Sequence, residues 1–157
     1  MNLSIRLSKL NEPAVISLLQ EHLENMREIS PPESVHALDV AQLREPDVTF
    51  WCAWSEEDLL GCGALKQLTT TEGEIKSMRT AVSHRGKGVG QRLLDHVLSE
   101  ARRRGYERLS LETGSQPEFE PARRMYAKAG FVACGPFAGY REDPNSVFMT
   151  RRLDCRG

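Results

Sequence analysis

The sequence has few cysteines, no long hydrophobic run and almost no net charge. Its four cysteines, at positions 52, 62, 134 and 155, form no C-x-x-C pair and have no histidine at metal-binding spacing. This excludes the common zinc and dithiol motifs and favours free thiols in a reducing cytoplasm. No apolar segment approaches the roughly 20 residues of a membrane-spanning helix, and the first residues lack the apolar core of a signal peptide. We therefore expect a cytoplasmic protein with no membrane partner and no bound metal.

Positively charged residues are balanced over the chain as a whole but are concentrated at one turn. Lysine and arginine number 21 against 22 acidic residues, a formal charge of −1, which argues against a nucleic-acid partner. With 157 residues, 39% of them hydrophobic, the chain predicts a single domain, residues 1–157, with a core large enough to fold alone. Arg85, Lys87 and Arg92 cluster around one glycine-rich turn. This cluster indicates a discrete anion site.

The turn carries glycine at 86, 88 and 90 and precedes an amphipathic helix. Glycines allow positive φ and leave backbone N–H groups open to a bulky ligand. Apolar residues recur from Val89 to Ala101, and Gly105 can end the helix in the left-handed conformation. The positive end of the helix dipole then lies at the glycines, where an anion would bind.

The remaining pattern predicts an α+β fold. Helices are expected at 13–29, at 33–43 and at 122–129, and strands at 3–7, 48–54, 59–68, 74–81, 108–112, 131–134 and 146–152. The helix after the glycine turn links strands 74–81 and 108–112, and such connections favour parallel neighbours. The result is a mixed, mostly antiparallel sheet of about six to seven strands with helices on both faces.

Two motifs in this order resemble the GCN5-related N-acetyltransferase (GNAT) superfamily. The first is R/Q-x-x-G-x-G/A, matched by Arg85, Gly88 and Gly90. The second is A-x-x-[LM]-Y-x-[KR]-x-G-F, matched by residues 122–131. The segment 30–39 is also similar to a bacterial subgroup of N-acetyltransferases. The chain departs from the family pattern at Phe119, where an asparagine is common.

The resemblance implies a GNAT-like fold that uses acetyl-CoA as acyl donor. The backbone of Met78 and Thr80 would pair with the pantetheine, and the turn would hold the pyrophosphate. The turn residues concerned are Arg85, Gly86, Lys87, Gly88, Val89, Gly90 and Gln91. The acceptor would be a small-molecule amine or an amino acid, attacking directly in a ternary complex. A protein amino group, or a CoA-binding regulatory module without turnover, is the alternative, and a homodimer is left open.

The resemblance also names two catalytic candidates. Tyr126 matches the family tyrosine that lies beside the sulfur, where a phenol can protonate a departing thiolate; the same ring could simply pack its helix on the sheet. Glu74 lies eleven positions before Arg85, the spacing of the glutamate base in the histone-acetylating branch. It could instead end a strand in solvent, with water as base. Strict alternation puts Glu74, Lys76, Met78 and Thr80 on one face, although a bulge would shift that parity.

Three further residues are candidates for contact with the acceptor. In this fold the stretch between the first helix and the hairpin forms the acceptor wall, and it contains Glu33 and His36. Glu112 ends the strand that follows the central helix, at the open edge where an acceptor could enter. For His36 the alternative is packing or exposure, and for Glu112 it is a surface position.

Overall fold

The computed structural model describes residues 2–153, so Cys155 lies outside the described residues. Within them, the chain forms a seven-stranded mixed sheet of order β1-β2-β3-β4-β5-β7-β6. The strands are β1 (Ser4–Leu7), β2 (Val48–Ser55), β3 (Asp58–Gln67), β4 (Glu72–Thr80), β5 (Arg108–Gly114), β6 (Val132–Cys134) and β7 (Ser146–Arg152). Only the β4–β5 pair is parallel among these ladders. The structure confirms the predicted α+β class and the predicted parallel pairing of the strands on either side of α3, which are β4 and β5.

Four α-helices accompany the sheet within residues 2–153. They are α1 (Pro13–Ile29), α2 (Val40–Leu43), α3 (Val89–Arg103) and α4 (Glu120–Lys128). The helix α3 ends as predicted, with Gly105 at φ 79°. No helix in the described part of the chain is both long enough and apolar enough to cross a membrane.

The helices α1 and α3 pack on opposite faces of the sheet. On one face, Leu18 and Leu19 of α1 share a hydrophobic cluster with Cys62 and Ala64 of β3. On the other, Leu94, Val97 and Leu98 of α3 cluster with Leu65 and Ile75. We call these two faces of the sheet the α1 face and the α3 face. Burial of each leucine in either cluster contributes about 1.5 to 3 kcal/mol of transfer free energy.

The helix predicted for residues 33–43 is wrong in its extent. A 3₁₀ turn at Pro32–Ser34 and one α turn at Val40–Leu43 replace it. Asp39 caps α2, because its carboxylate accepts from Gln42 N at 2.8 Å while the Gln42 side chain accepts from Asp39 N. Tertiary contacts hold this segment instead: Ser34 Oγ, at the end of the first turn, donates to Asp143 Oδ2 at 2.5 Å, and the carbonyl oxygen of His36, between the turns, accepts from Lys76 Nζ at 3.1 Å.

A β-bulge in β4 overturns the predicted alternation. Cys62 pairs with Arg79, but Ala64 pairs with Lys76, so Ser77 and Met78 together oppose one residue of β3. Ser77 has a φ of 54°. As a result Lys76 lies on the α1 face, whereas Met78 packs with the clusters of the α3 face.

The expectation that Glu74, Lys76, Met78 and Thr80 share one face is therefore wrong. Glu74 pairs with Lys66 two positions from the Ala64–Lys76 pair and so stays on the α1 face. Thr80 lies two positions after Met78, beside Gly90 of α3. The bulge thus reverses the alternation, so that even-numbered residues of β4 face α1 before it and α3 after it.

Candidate functional site

A cleft passes through the sheet between β4 and β5. The two strands pair only over Glu72–Glu74 and Arg108–Ser110, and beyond these residues they diverge. A cleft of about 690 Å³ fills the gap. It is lined from the α3 face by Thr80, Gly90, Met125 and Tyr126, and from the α1 face by His22, Asn25, Met26 and Ile29. One continuous space therefore joins the two faces; we call it the through-sheet cleft.

The glycine turn forms one end of the through-sheet cleft. Gly86 and Gly88 have φ values of 78° and 81°, and a Cβ added at either would meet no atom within 4 Å. Gly88 is the residue before α3, a helix of 15 residues whose first N–H groups face this space without a side-chain cap. Open backbone donors at a helix start provide the cradle that a diphosphate needs.

The predicted turn residues differ in their relation to the cleft. Arg85, Gly86, Gly88, Val89, Gly90 and Gln91 line it. Lys87 is absent from the lining; it is exposed, with Nζ 3.2 Å from His84 Nδ1. The amide of Gln91 donates to Asp95 Oδ1 at 2.9 Å, which holds that side chain along the helix.

Met78 and Thr80 of the predicted pantetheine strand also line the cleft. The β4–β5 ladder ends at Glu74 and Ser110, so the edge of β4 that faces β5 has no strand partner at Met78 and Thr80. Backbone groups along this edge can therefore hydrogen-bond to a ligand in the cleft.

Tyr126 of α4 lines the cleft and is 5% exposed. Its ring packs edge-on against Phe131, with centroids 5.8 Å apart. Burial raises the pKa of the Tyr126 hydroxyl above its ordinary value. The phenol consequently stays protonated at neutral pH and can donate a hydrogen bond or a proton into the cleft.

Glu74 lies in a second cleft, of about 630 Å³, and does not line the first. It is 3% exposed. Its Oε2 accepts from Tyr140 Oη at 2.5 Å and from Lys76 Nζ at 3.3 Å. The Glu74 carboxylate therefore already has a cationic partner in Lys76 and a hydroxyl donor in Tyr140.

Lys76 and Tyr140 are site residues that the sequence did not single out. Lys76 Nζ donates to Tyr140 Oη at 2.8 Å and to the carbonyl oxygen of His36 at 3.1 Å. Tyr140 comes from the loop between β6 and β7, 66 residues from Glu74. Because nothing local links these segments, no sequence signal could have joined them.

The predicted acceptor residues His36 and Glu33 lie beside this cluster. The His36 ring packs edge-on against Tyr140 at 4.9 Å, and His36 lines both clefts, as Lys76 does. Glu33 lines only the second cleft. His36 and Lys76 thus form the partition between the two spaces.

Glu112 of β5 lines the through-sheet cleft. Its Oε2 accepts from Ser146 Oγ at 2.8 Å. Burial raises the pKa of the Glu112 carboxyl; the Ser146 hydrogen bond and the charges of His36 and Lys76 oppose the shift, and Glu74 adds to it. A carboxylate with a raised pKa and a single hydroxyl partner is suited to receive a cation or a proton.

Comparison with known proteins agrees with this geometry. Residues 15–131 match the Acetyltransferase (GNAT) family. The chain is 58% identical to the uncharacterized N-acetyltransferase YsnE of Bacillus subtilis, over 95% of this chain and 99% of that one. It is 49% identical to the uncharacterized N-acetyltransferase YedL of Escherichia coli, over 96% and 94%.

A solved structure shows the same fold. It is a GNAT family acetyltransferase from Elizabethkingia anophelis with acetyl-CoA bound, with a TM-score of 0.73 and 19% identity, covering 97% of this chain and 99% of that one. The order of the strands, the divergence of β4 from β5 and the matched residues lead to one conclusion. The chain belongs to the GNAT family of acetyltransferases.

Proposed function

We propose that the protein transfers an acetyl group from acetyl-CoA to the amino group of a small acceptor, by direct attack in a ternary complex. The observation that carries this proposal is the through-sheet cleft, which joins the open start of α3 on one face to a carboxylate-bearing wall on the other. Donor and acceptor could then enter from opposite faces and meet between β4 and β5. One compact domain suffices for this arrangement.

The residues at the α3 end fit the donor. Gly86 and Gly88 leave open space at positive φ, the helix start supplies N–H groups, and Arg85 adds a guanidinium suited to phosphate. Lys87 is exposed close by and would contribute mainly through its charge. The backbone of Met78 and Thr80 would hold the pantetheine, which bears the reactive thioester.

Two carboxylates could accept the proton of the amine, and the contacts favour Glu112. Glu74 is engaged by Tyr140 and Lys76 and lies outside the through-sheet cleft. Glu112 lines that cleft and has one hydroxyl partner. We infer that Glu112 receives the acceptor's ammonium group and takes its proton, while Glu74 holds Lys76 and the β6–β7 loop in position.

Tyr126 would act on the leaving group, the sulfur of coenzyme A, rather than on the amine. Its buried hydroxyl remains protonated at neutral pH, because burial raises its pKa. It can therefore donate to the sulfur as negative charge develops there. The donor itself supplies the acetyl group and a thiolate leaving group.

The proposal is tested by measuring free thiol release from acetyl-CoA across a panel of amines, amino acids and peptides. We expect release that depends on a small amine and falls sharply in Tyr126→Phe. Saturable binding of acetyl-CoA without thiol release on any acceptor would contradict the proposal and would favour a CoA-binding regulatory role. Turnover on peptides alone would assign a protein amino group as acceptor.

A further inference from the structure

Three buried polar atoms lie unpartnered on one wall of the through-sheet cleft. They are His22 Nδ1 of α1 and Ser77 Oγ and Arg79 Nε of β4, none of which has a hydrogen-bond partner among residues 2–153. The three residues are 8, 9 and 8% exposed, and all of them line the cleft. Buried polar atoms are nearly always hydrogen-bonded in folded proteins. Three exceptions on one wall of a cleft point to a missing polar ligand.

The positive charge of Arg79 indicates that the ligand group at this wall is negatively charged. Its Nη1 donates to Asn25 Oδ1 at 3.0 Å and its Nη2 to Glu21 Oε1 at 2.8 Å, which leaves the Nε–H without an acceptor. The Glu21 side chain is 50% exposed, whereas that of Arg79 is 7% exposed. Water therefore screens the carboxylate more than the guanidinium, and this wall stays positive.

The His22 imidazole adds no charge to this wall at neutral pH. Burial, and then the charge of Arg79, lower the His22 pKa to about 4. The imidazole is consequently neutral at neutral pH and can act as a hydrogen-bonding group only. The effect of Arg79 on this ring is consistent with a positive potential at the α1–β4 wall.

The opposite wall carries the opposite sign. Glu112 on β5 has Ser146 as its hydrogen-bond partner, and the ammonium group of Lys76 is occupied by Glu74, Tyr140 and His36. The cleft thus has a carboxylate on β5 and a guanidinium on β4. A ligand with one charge of each sign would satisfy both walls.

We propose, on the basis of the acetyl transfer proposed above, that the acceptor is an amine that also carries a carboxylate, as a free amino acid does. Glu112 receives the ammonium group, and Arg79 Nε and Ser77 Oγ donate hydrogen bonds to the carboxylate. His22 completes the polar wall. The site accordingly selects zwitterionic acceptors over simple amines of the same length.

The test compares matched acceptor pairs that differ only in the carboxylate, such as β-alanine with ethylamine and phenylalanine with phenethylamine. In the wild type we expect kcat/KM for the carboxylate-bearing member to be at least about tenfold higher, the usual effect of a hydrogen bond to a charged group. Arg79→Lys retains the charge but loses the Nε–H, and it should lower kcat/KM for the carboxylate-bearing member far more than for the simple amine, which removes the preference.

Two further variants separate binding from folding. Ser77→Ala removes one donor and should reduce the preference without changing the dissociation constant of CoA. Glu21→Gln removes the outer partner of Arg79 but leaves the Nε–H, and it should retain the preference. Equal kcat/KM for both members of the pairs in the wild type would overturn the proposal, as would an equal loss for both members in Arg79→Lys.

A binding measurement distinguishes failure of this proposal from failure of the proposed function. Isothermal titration of β-alanine and ethylamine into the CoA complex needs no turnover. Tighter binding of β-alanine that is lost in Arg79→Lys supports the zwitterion site even if no thiol is ever released. Binding without preference between the two overturns it, whether or not the enzyme turns over.

Discussion

Tyr140 Oη donates a 2.5 Å hydrogen bond to Glu74 Oε2, although 66 residues separate the two in the sequence. Lys76 Nζ donates to both of these oxygen atoms, at 2.8 and 3.3 Å. The Glu74 carboxylate is thereby committed to protein partners. Glu112 has a single hydroxyl partner and lines the through-sheet cleft, which is why we propose that it meets the acceptor.

Glu112→Gln should lower kcat/KM for the acceptor by roughly 100-fold or more, because the amine loses its proton acceptor. The acidic limb of the wild-type profile should lie above the ordinary pKa of glutamate, since burial raises the pKa of Glu112. The measurement is kcat/KM against pH for Glu112→Gln and for Glu74→Gln. Loss of the limb in Glu74→Gln alone would show that Glu74 is the base.

The same variant should be more stable than the wild type at neutral pH. The raised pKa of Glu112 means that the folded protein binds this proton more tightly than the unfolded chain does. The free energy of unfolding therefore falls as the pH rises from the ordinary pKa to the raised one. Glutamine does not ionise, so the Glu112→Gln variant avoids this fall in the free energy of unfolding. Urea unfolding at acidic and neutral pH tests this, and a gain of the same size at both would contradict it.

Lys76→Met should destabilise the protein by about 3 to 5 kcal/mol, because Glu74 would remain buried without its cation. Glu74 and Lys76 have side chains only 4% and 9% exposed. The double variant Lys76→Met with Glu74→Gln should recover much of the loss, since no buried charge remains. The free energy of unfolding in urea measures both effects. A double variant no more stable than Lys76→Met would exclude the buried ion pair as the cause.

Tyr126→Phe should lower kcat by roughly 100-fold with little change in KM for acetyl-CoA, because the proton donor to the sulfur is lost. Tyr106→Phe is a matched control: Tyr106 is also buried, at 3% exposed, and its hydroxyl lacks a partner among the described residues. It does not line the through-sheet cleft. Its kcat should be unchanged. Equal effects of the two variants would reduce Tyr126 to a packing residue.

Gly88→Asp should weaken CoA binding by at least about tenfold, because it puts a negative charge at the helix start where the phosphates would lie. Gly105→Asp is the control at the other end of α3. Both glycines have positive φ, 81° and 79°, and open space for a Cβ. Each substitution should cost about 1 to 2 kcal/mol of stability through backbone strain. Similar dissociation constants for CoA in both variants would exclude the glycine turn as the phosphate site.

Much of the fold could be predicted from local patterns. The glycine turn, the amphipathic α3 and its end at Gly105 follow from the spacing of glycines and apolar residues, and the structure has each of them. The segment 33–43 could not be predicted in this way. Its conformation depends on Ser34 and His36 meeting Asp143 and Lys76, which belong to distant parts of the chain.

The sequence by itself determined the two motifs, the parallel link through α3 and the open glycine turn at Gly86 and Gly88, because each depends on residues close together in the chain. The tertiary structure decided which carboxylate faces the cleft. The bulge at Ser77 and Met78 places Lys76 and Met78 on opposite faces, and the β6–β7 loop brings Tyr140 onto Glu74. Long-range strand pairing and loop contacts cause both effects, and neither has a local signature in the sequence.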